Sequence, residues 1–203
     1  MWPKLAVMAS GNGSNFEALV KATQNHTLEA EIVCLVCDHA DAYVIERAKH
    51  LQIPAIILEP RDFKDKNHYE RAIVKGLEAY DVDVIILAGY MRIVTPYMLD
   101  KYPGHILNIH PAVLPHFPGR QGIQDAWDAG VSQTGVTVHL IDSGIDSGPI
   151  LAQQTVDITE DDTLETLEAK IHQVEQRLYA KTIQEFLQAE KEKKDACFIK
   201  CFR

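Results

Sequence analysis

Short runs of apolar residues alternate along the chain with longer segments in which apolar residues recur every three or four positions. The short runs are typical of buried strands, and the longer period is typical of amphipathic helices. This pattern predicts strands at Lys4–Ala9, Glu31–Cys37, Ala55–Leu58, Val82–Leu87, Ile106–Ile109, Val136–Ile141 and Ile150–Val156. It predicts helices at Asn15–Gln24, Tyr43–Leu51, Lys66–Tyr80, Pro96–Tyr102, Gln121–Ala129 and Thr163–Glu190.

The first four predicted strands are almost continuous in valine, isoleucine and leucine. Such strands occur in parallel sheets whose two faces are both covered by helices. The alternation therefore predicts an α/β fold: a doubly wound, mostly parallel twisted sheet of about seven strands, flanked by helices. The later strands follow one another with less helix between them, which predicts some mixed strands in the C-terminal half.

The chain has 203 residues, of which 46% are hydrophobic, so it can bury one sizeable core. No linker rich in proline, glycine or serine divides it. We predict a single domain over residues 1–190 and a charged C-terminal tail over residues 191–203. Cys197 and Cys201 lie in that tail, and their spacing indicates no function.

The formal net charge of −9 makes a nucleic-acid backbone an unfavourable partner. An anionic small molecule is compatible with this charge, because a local group of backbone amides can bind phosphate. The N-terminus has no secretory signal, and no apolar run approaches the roughly twenty residues of a membrane span. We therefore expect a cytoplasmic protein with no membrane partner, and we leave a homodimer open.

Cys34 and Cys37 have the spacing of a metal knuckle but lie within a predicted buried strand. Side chains three apart on a strand point to opposite faces, so we predict that both thiols fill the core. Nine histidines are present, but none has the spacing of a zinc motif. The sequence therefore predicts no metal.

The sequence Ser-Gly-Asn-Gly-Ser-Asn, residues 10–15, lies between the first predicted strand and the first predicted helix. Ligands of doubly wound sheets bind beyond the carboxyl ends of the strands. Gly11 and Gly13 permit positive φ and a close approach of backbone amides, and the helix N-terminus favours an anion. These features predict a phosphate cradle. The alternative is a tight turn with a helix cap, because the dinucleotide and Walker motifs are incomplete.

Asn108 and His110 are two apart on a predicted strand and share one face, and Pro111 ends that strand. Asp142 and Asp146 follow a later strand, in a loop whose glycines would let Asp146 turn inward. An amide, an imidazole and a carboxylate together suit acyl transfer, through oxyanion stabilisation and proton donation. No serine or cysteine has the context of a nucleophile, so a substrate would supply it. The alternative is that these residues only cap a strand and form turns.

Four segments, in this order, resemble the phosphoribosylglycinamide formyltransferase family of folate-dependent enzymes. They are SGNGSN (10–15), LAGYMRI (87–93), NIHPAVLPHFPG (108–119) and DSGIDSGPI (142–150). The match covers nearly the whole chain, and the combination is highly specific. The resemblance implies a Rossmann-like formyltransferase fold without a metal. It also implies transfer of a formyl group from the cosubstrate 10-formyltetrahydrofolate to the amine of 5-phosphoribosylglycinamide, in purine (IMP) biosynthesis.

The resemblance also implies site residues. The implied catalytic residues are Asn108, His110 and Asp146, with His110 donating a proton and Asp146 supporting its protonation. The implied residues for binding phosphoribosylglycinamide are Gly11, Asn12, Gly13, Ser14, Asn15 and Glu175. The implied folate-binding residues are Lys66, Met91, Arg92, Ile93, Val94, Asn108, Asp142, Ser143, Gly144, Ile145 and Asp146. Without the resemblance, Glu175 would be read as part of a solvated helix face. The stretch Met91-Arg92-Ile93-Val94 offers apolar walls beside backbone donors and acceptors, which suits a flat pterin, and the alternative for Met91 and Ile93 is ordinary core packing.

Two positions depart from the family pattern. Ala112-Val113-Leu114 stands where the family commonly has Ser-Leu-Leu, and this chain has Lys66 near the position where the family tends to carry an arginine that helps to bind folate. Lysine keeps the charge but loses the bidentate fork of a guanidinium.

Three other functions are weighed against this one. A methionyl-tRNA formyltransferase would carry a further C-terminal domain, and an acidic chain is poorly suited to bind tRNA. A formyltetrahydrofolate hydrolase would carry a regulatory domain before the glycine-rich loop, which here begins at residue 10. A non-catalytic phosphosugar-binding module would bind its ligand without turnover.

Overall fold

The structure is a computed structural model that describes residues 2–201, with side chains up to residue 196. Its strands are β1 (Lys4–Ala9), β2 (Glu31–Cys37), β3 (Ala55–Ile57), β4 (Val84–Leu87), β5 (Ile106–His110), β6 (Gln133–Leu140) and β7 (Ile150–Asp157). Its α-helices are α1 (Ser14–Gln24), α2 (Tyr43–His50), α3 (Lys66–Ala79), α4 (Pro96–Lys101), α5 (Gly122–Asp128) and α6 (Leu164–Cys201). A short 3₁₀ helix, Pro60–Asp62, which the apolar pattern did not predict, precedes α3.

The strands form one sheet in the order β3-β2-β1-β4-β5-β6-β7. The strands from β3 to β5 pair in parallel, and β6 is antiparallel to both of its neighbours. The predicted fold class is therefore confirmed, including the mixed C-terminal strands. The connection between β6 and β7 contains no helix, which suits an antiparallel pair, because a parallel pair needs a crossover.

Helices cover both faces of the sheet, and each face has its own core. Along β1, Leu5, Val7 and Ala9 pack with helices α1, α2, α5 and α6, while Ala6 and Met8 pack with α3 and α4. This alternation follows from the two-residue period of a strand, and burial on both sides explains why β1 reads as a continuous apolar run.

Cys34 and Cys37 are fully buried on opposite faces of the sheet, in the two different cores. Burial raises the pKa of the Cys34 thiol to about 12. Both cysteines therefore fill the core, as the sequence predicts.

Helix α6 continues eleven residues past the Glu190 at which the sequence predicted its end. The charged run extends the helix with ion pairs such as that between Lys193 and Glu190, at 2.6 Å. The division into a domain of residues 1–190 and a tail of residues 191–203 stays a prediction. The side chains of Cys197 and Cys201 lie outside the described part. Within residues 2–201, every helix is too short or too polar to cross a bilayer.

Candidate active site

The glycine-rich loop connects β1 to α1 at the carboxyl edge of the sheet. Gly13 adopts φ +77° and caps α1, which begins at Ser14. A Cβ atom built on Gly13 would lie 2.6 Å from Cβ of Val44, so the loop also needs glycine for space. Gly11, in contrast, has ordinary φ and open space around it. Gly13 therefore uses the positive φ that glycine permits, and Gly11 does not.

Helix α2 holds the tip of this loop in place. The guanidinium of Arg47 donates to the carbonyl oxygen of Asn12 at 2.8 Å and to its Oδ1 at 2.9 Å. Arg47 also pairs with Glu17 of α1, and the amide of Val44 donates to the carbonyl of Gly11. These contacts fix the loop backbone before any ligand arrives.

A polar cluster on α6 faces the same loop. Oε2 of Glu175 accepts from Nδ2 of Asn15 at 3.2 Å and contacts Nδ1 of His172 at 2.8 Å. This contact with Glu175 raises the pKa of His172 above its ordinary value, against the effect of burial. Glu175 is 5% exposed, so it is a wall of the site and not part of a solvated helix face. Oδ1 of Asn15 is buried and has no hydrogen-bond partner within the described residues.

Strand β5 carries Asn108 and His110 on one face, and β6 places His139 directly opposite Asn108. Nδ2 of Asn108 lies 3.1 Å from Nε2 of the fully buried His139. Nδ1 of His139 contacts the carbonyl oxygen of Leu140 at 2.9 Å, and a carbonyl only accepts, so Nδ1 carries a proton. Nε2 is then the ring nitrogen that meets the amide of Asn108, and this contact holds the orientation of that amide.

The loop between β6 and β7 brings Asp146 over the same face. Oδ2 of Asp146 lies 3.6 Å from Nδ1 of His110, and Oδ1 lies 3.6 Å from Nε2 of His139. The backbone amide of Gly119 donates to Oδ2 at 2.8 Å. Burial alone would raise the pKa of Asp146, but the contacts with His139, the Gly119 amide and the charge of His110 outweigh it and lower that pKa.

The bend of the β6–β7 loop does not come from positive φ at its glycines, although the sequence analysis expected the glycines to let Asp146 turn inward. Asp146 itself adopts φ +50°, whereas Gly144 and Gly148 have ordinary φ. Both glycines are required by close packing, because a Cβ atom would overlap Ser147 at the first and the carbonyl of Leu140 at the second. The inward turn of Asp146 is therefore a property of its own backbone.

One hydrogen bond fixes the ring of His110. Its Nε2 lies 2.7 Å from the carbonyl oxygen of Phe117, a residue with φ +52°. Since a carbonyl only accepts, Nε2 carries a proton and Nδ1 faces Asp146. The side chain is 3% exposed, so the ring is enclosed, with one nitrogen on the carbonyl of Phe117 and the other facing the carboxylate.

An apolar wall follows β4. Met91, Ile93 and Ile145 are large apolar side chains that stay 47%, 59% and 62% exposed around the cavity. The amide of Met91 donates to Oγ of Ser10 at 2.9 Å, which joins this wall to the glycine-rich loop. A flat ring with a hydrogen-bonding edge suits such a surface.

These features surround one cavity of about 550 Å³. All the site residues implied by the resemblance line it except Lys66 and Ser143. Lys66 begins α3 and Ser143 lies in the β6–β7 loop, and both are exposed. Their folate-binding roles stay predictions. Nothing among the described histidines, cysteines and carboxylates forms a group able to hold a metal ion.

The sequence analysis missed several lining or supporting residues, among them His139, His172 and Arg120. Arg120 donates from Nη2 to the carbonyl oxygen of Met91 at 2.9 Å, and His172 contacts Glu175. His139 could have been found only by aligning β6 against β5, because its partner Asn108 is far away in the sequence.

The chain belongs to the formyl transferase family, whose sequence model matches residues 3–183. It is 46% identical to phosphoribosylglycinamide formyltransferase of Bacillus subtilis, over 91% of this chain and 94% of that protein. It is 36% identical to the Haemophilus influenzae enzyme of the same name, over 95% of this chain and 91% of that protein. The crystal structure of glycinamide ribonucleotide transformylase 1 from Geobacillus kaustophilus superposes with a TM-score of 0.90. That match has 46% identity and covers 92% of this chain and 100% of the other.

Proposed function

We propose that this protein transfers the formyl group of 10-formyltetrahydrofolate to the amine of 5-phosphoribosylglycinamide, in purine biosynthesis. The observation that carries the proposal is the convergence of Asn108, His110 and Asp146 in one cavity with a glycine-rich loop. The names of the relatives support the choice of substrates.

The nucleotide would occupy the end of the cavity formed by the glycine-rich loop. Amides of Gly13, Ser14 and Asn15 at the N-terminus of α1 suit its phosphate, because the helix dipole and unpaired N–H groups favour an anion. Glu175 and His172 suit the ribose hydroxyls, as acceptor and donor. The folate ring would lie against the wall of Met91 and Ile93.

In the reaction, the amine of the nucleotide attacks the formyl carbon, and the carbonyl oxygen becomes an oxyanion. An N–H of Asn108 and the protonated ring of His110 stabilise that charge. The attacking nitrogen then loses a proton, N10 of the folate gains one, and the bond from the formyl carbon to N10 breaks. Asp146 has a lowered pKa, so it is ionised at neutral pH and can relay this proton.

An assay of the purified protein with both substrates tests the proposal. We expect formylated nucleotide and tetrahydrofolate in equal amounts. Release of formate from 10-formyltetrahydrofolate when no nucleotide is added would instead identify a hydrolase. Tight nucleotide binding without turnover would identify a phosphosugar-binding module.

We further propose that the protein acts in the cytoplasm on small molecules, without nucleic-acid or membrane partners. The net charge of −9 repels a phosphate backbone, and the buried free thiols of Cys34 and Cys37 suit a reducing compartment. A homodimer stays a prediction, which light scattering of the purified protein tests.

A further inference from the structure

An ion pair of the fold has no role in the reaction described above. Asp38 follows β2 and Arg92 follows β4, and β1 lies between these two strands in the sheet. Nε of Arg92 donates to Oδ2 of Asp38 at 2.6 Å. The guanidinium therefore reaches past the carboxyl end of β1, beside the glycine-rich loop, to contact the carboxylate.

The position of Asp38 is unfavourable for a carboxylate. Its side chain is 1% exposed, and its Oδ1 is buried without a hydrogen-bond partner among the described residues. Nε2 of His39 lies 3.8 Å from Oδ2, beyond hydrogen-bond distance, and belongs to a half-exposed ring. Burying an acceptor without a donor costs free energy, and buried ion pairs are often no more stable than apolar replacements. Stability alone therefore does not account for Asp38.

The partner of Asp38 lies in the middle of an irregular segment that lines the cavity. At one end of this segment, the amide of Met91 donates to Ser10, and just beyond the other end, the amide of Thr95 donates to Glu70. Between these anchors the segment has neither helix nor strand pairing. The contact of Arg92 with Asp38 holds its centre.

We propose that Asp38 is a positioning residue of the folate subsite. Its carboxylate holds the guanidinium of Arg92 and so fixes the Met91–Val94 backbone in the shape that receives the pterin ring. The identity of the ligand rests on the proposed function. Asp38 does not line the cavity itself and acts through Arg92.

Asp38→Asn tests this role, because it keeps the shape and removes the charge. We expect KM for 10-formyltetrahydrofolate to rise by about 10-fold or more, the effect of one charge-assisted hydrogen bond. Both kcat and KM for the nucleotide should stay within about twofold of the wild type. A general structural defect would move all three constants together. Asp41→Asn is the matched control, since Asp41 is an exposed aspartate of the same loop.

Arg92→Gln and the double variant Asp38→Asn/Arg92→Gln complete a double-mutant cycle. If the two residues act as one unit, the double variant should weaken folate binding no more than the stronger single variant. The side chain of Arg92 is 38% exposed, so its replacement should disturb folding less than a change at the buried Asp38. Arg92→Gln therefore still tests the pair if Asp38→Asn folds poorly. Calorimetric titration with tetrahydrofolate gives the affinities directly.

Unchanged folate affinity in both single variants would overturn the role of Asp38, even if the wild type transfers formyl groups normally. Additive losses in the double variant would overturn it as well. A wild type without transfer activity would instead overturn the proposed function. In that case the titration with tetrahydrofolate still decides the role of Asp38.

Discussion

Oδ2 of Asp146 lies 3.6 Å from Nδ1 of His110, although α5 and β6 separate the two residues in the chain. The carbonyl of Phe117 holds the opposite side of the imidazole at 2.7 Å. The ring is thus fixed between the carbonyl oxygen of Phe117 and the carboxylate of Asp146. A proton that leaves this ring toward a substrate must come from the nitrogen that faces Asp146, because Phe117 occupies the other.

Removing either member of this pair should reduce turnover much more than binding. We expect His110→Gln and Asp146→Asn each to lower kcat by about 10²- to 10⁴-fold, the usual contribution of general acid–base catalysis. KM for both substrates should change by only a few-fold. Steady-state kinetics measure this, with His116→Gln as control, since His116 is exposed and lies outside the cavity. Near-normal kcat in both variants would refute the assignment.

His139 should matter although it is buried beneath the site. His139→Phe removes the ring nitrogen that orients the Asn108 amide, and we expect kcat to fall by about 10- to 100-fold, the effect of one misplaced hydrogen bond. In an Asn108→Ala background the same change should cost little more, because the amide is already gone. Independent, additive losses in the double variant would show that His139 does not act through Asn108.

The contact of His172 with Glu175 predicts a pH dependence. The pKa of His172 in the folded protein is raised above its ordinary 6.5, so the stability gained from this pair is full below pH 6.5. It is lost as the pH rises through the raised value. The positive charge beside the nucleotide disappears over the same range, so KM for the nucleotide should rise a few-fold by about pH 9. His172→Gln should flatten that rise, and an unaltered profile in this variant would exclude His172 as the titrating group.

The two glycines of the first loop should respond differently to alanine. Gly13→Ala combines a positive φ with overlap against Val44, and we expect a loss of about 1–3 kcal/mol in the free energy of unfolding. Weaker nucleotide binding should accompany it. Gly11→Ala meets no atom within 4 Å and should leave the free energy of unfolding unchanged. Denaturant titration of both variants tests this, and equal effects would contradict the assigned backbone roles.

Tyr179 connects α6 to the strands that carry the site. Its buried hydroxyl lies 2.9 Å from the carbonyl oxygen of Leu87 and 3.0 Å from that of Leu107, so its one proton is shared between the two carbonyls. Tyr179→Phe leaves these carbonyls without that donor, so we expect a loss of about 1–3 kcal/mol in stability. Thermal unfolding measures it against Tyr43→Phe, whose exposed ring should tolerate the change. A Tm equal to that of the control would show that the hydroxyl contributes nothing.

The sequence by itself determined the elements and the chemistry that they carry. Apolar periodicity is local, so it located the strands and helices, and the buried strands required a covered parallel sheet. Strand alternation alone placed Cys34 and Cys37 on opposite faces. The residue types of Asn108, His110 and Asp146 indicated acyl transfer, because they suit an oxyanion and a moving proton, and the resemblance to a known family implied that the acyl group is formyl.

Only the tertiary structure decided the contacts between distant segments. The antiparallel register of β5 and β6 sets His139 against Asn108, and no local pattern encodes that register. Helix α6 turns Glu175 into the cavity, although its own sequence resembles a solvated face. Asp38 and Arg92 meet because their strands lie on either side of β1. Such pairs depend on which strands become neighbours, and strand order is fixed by packing of the whole core.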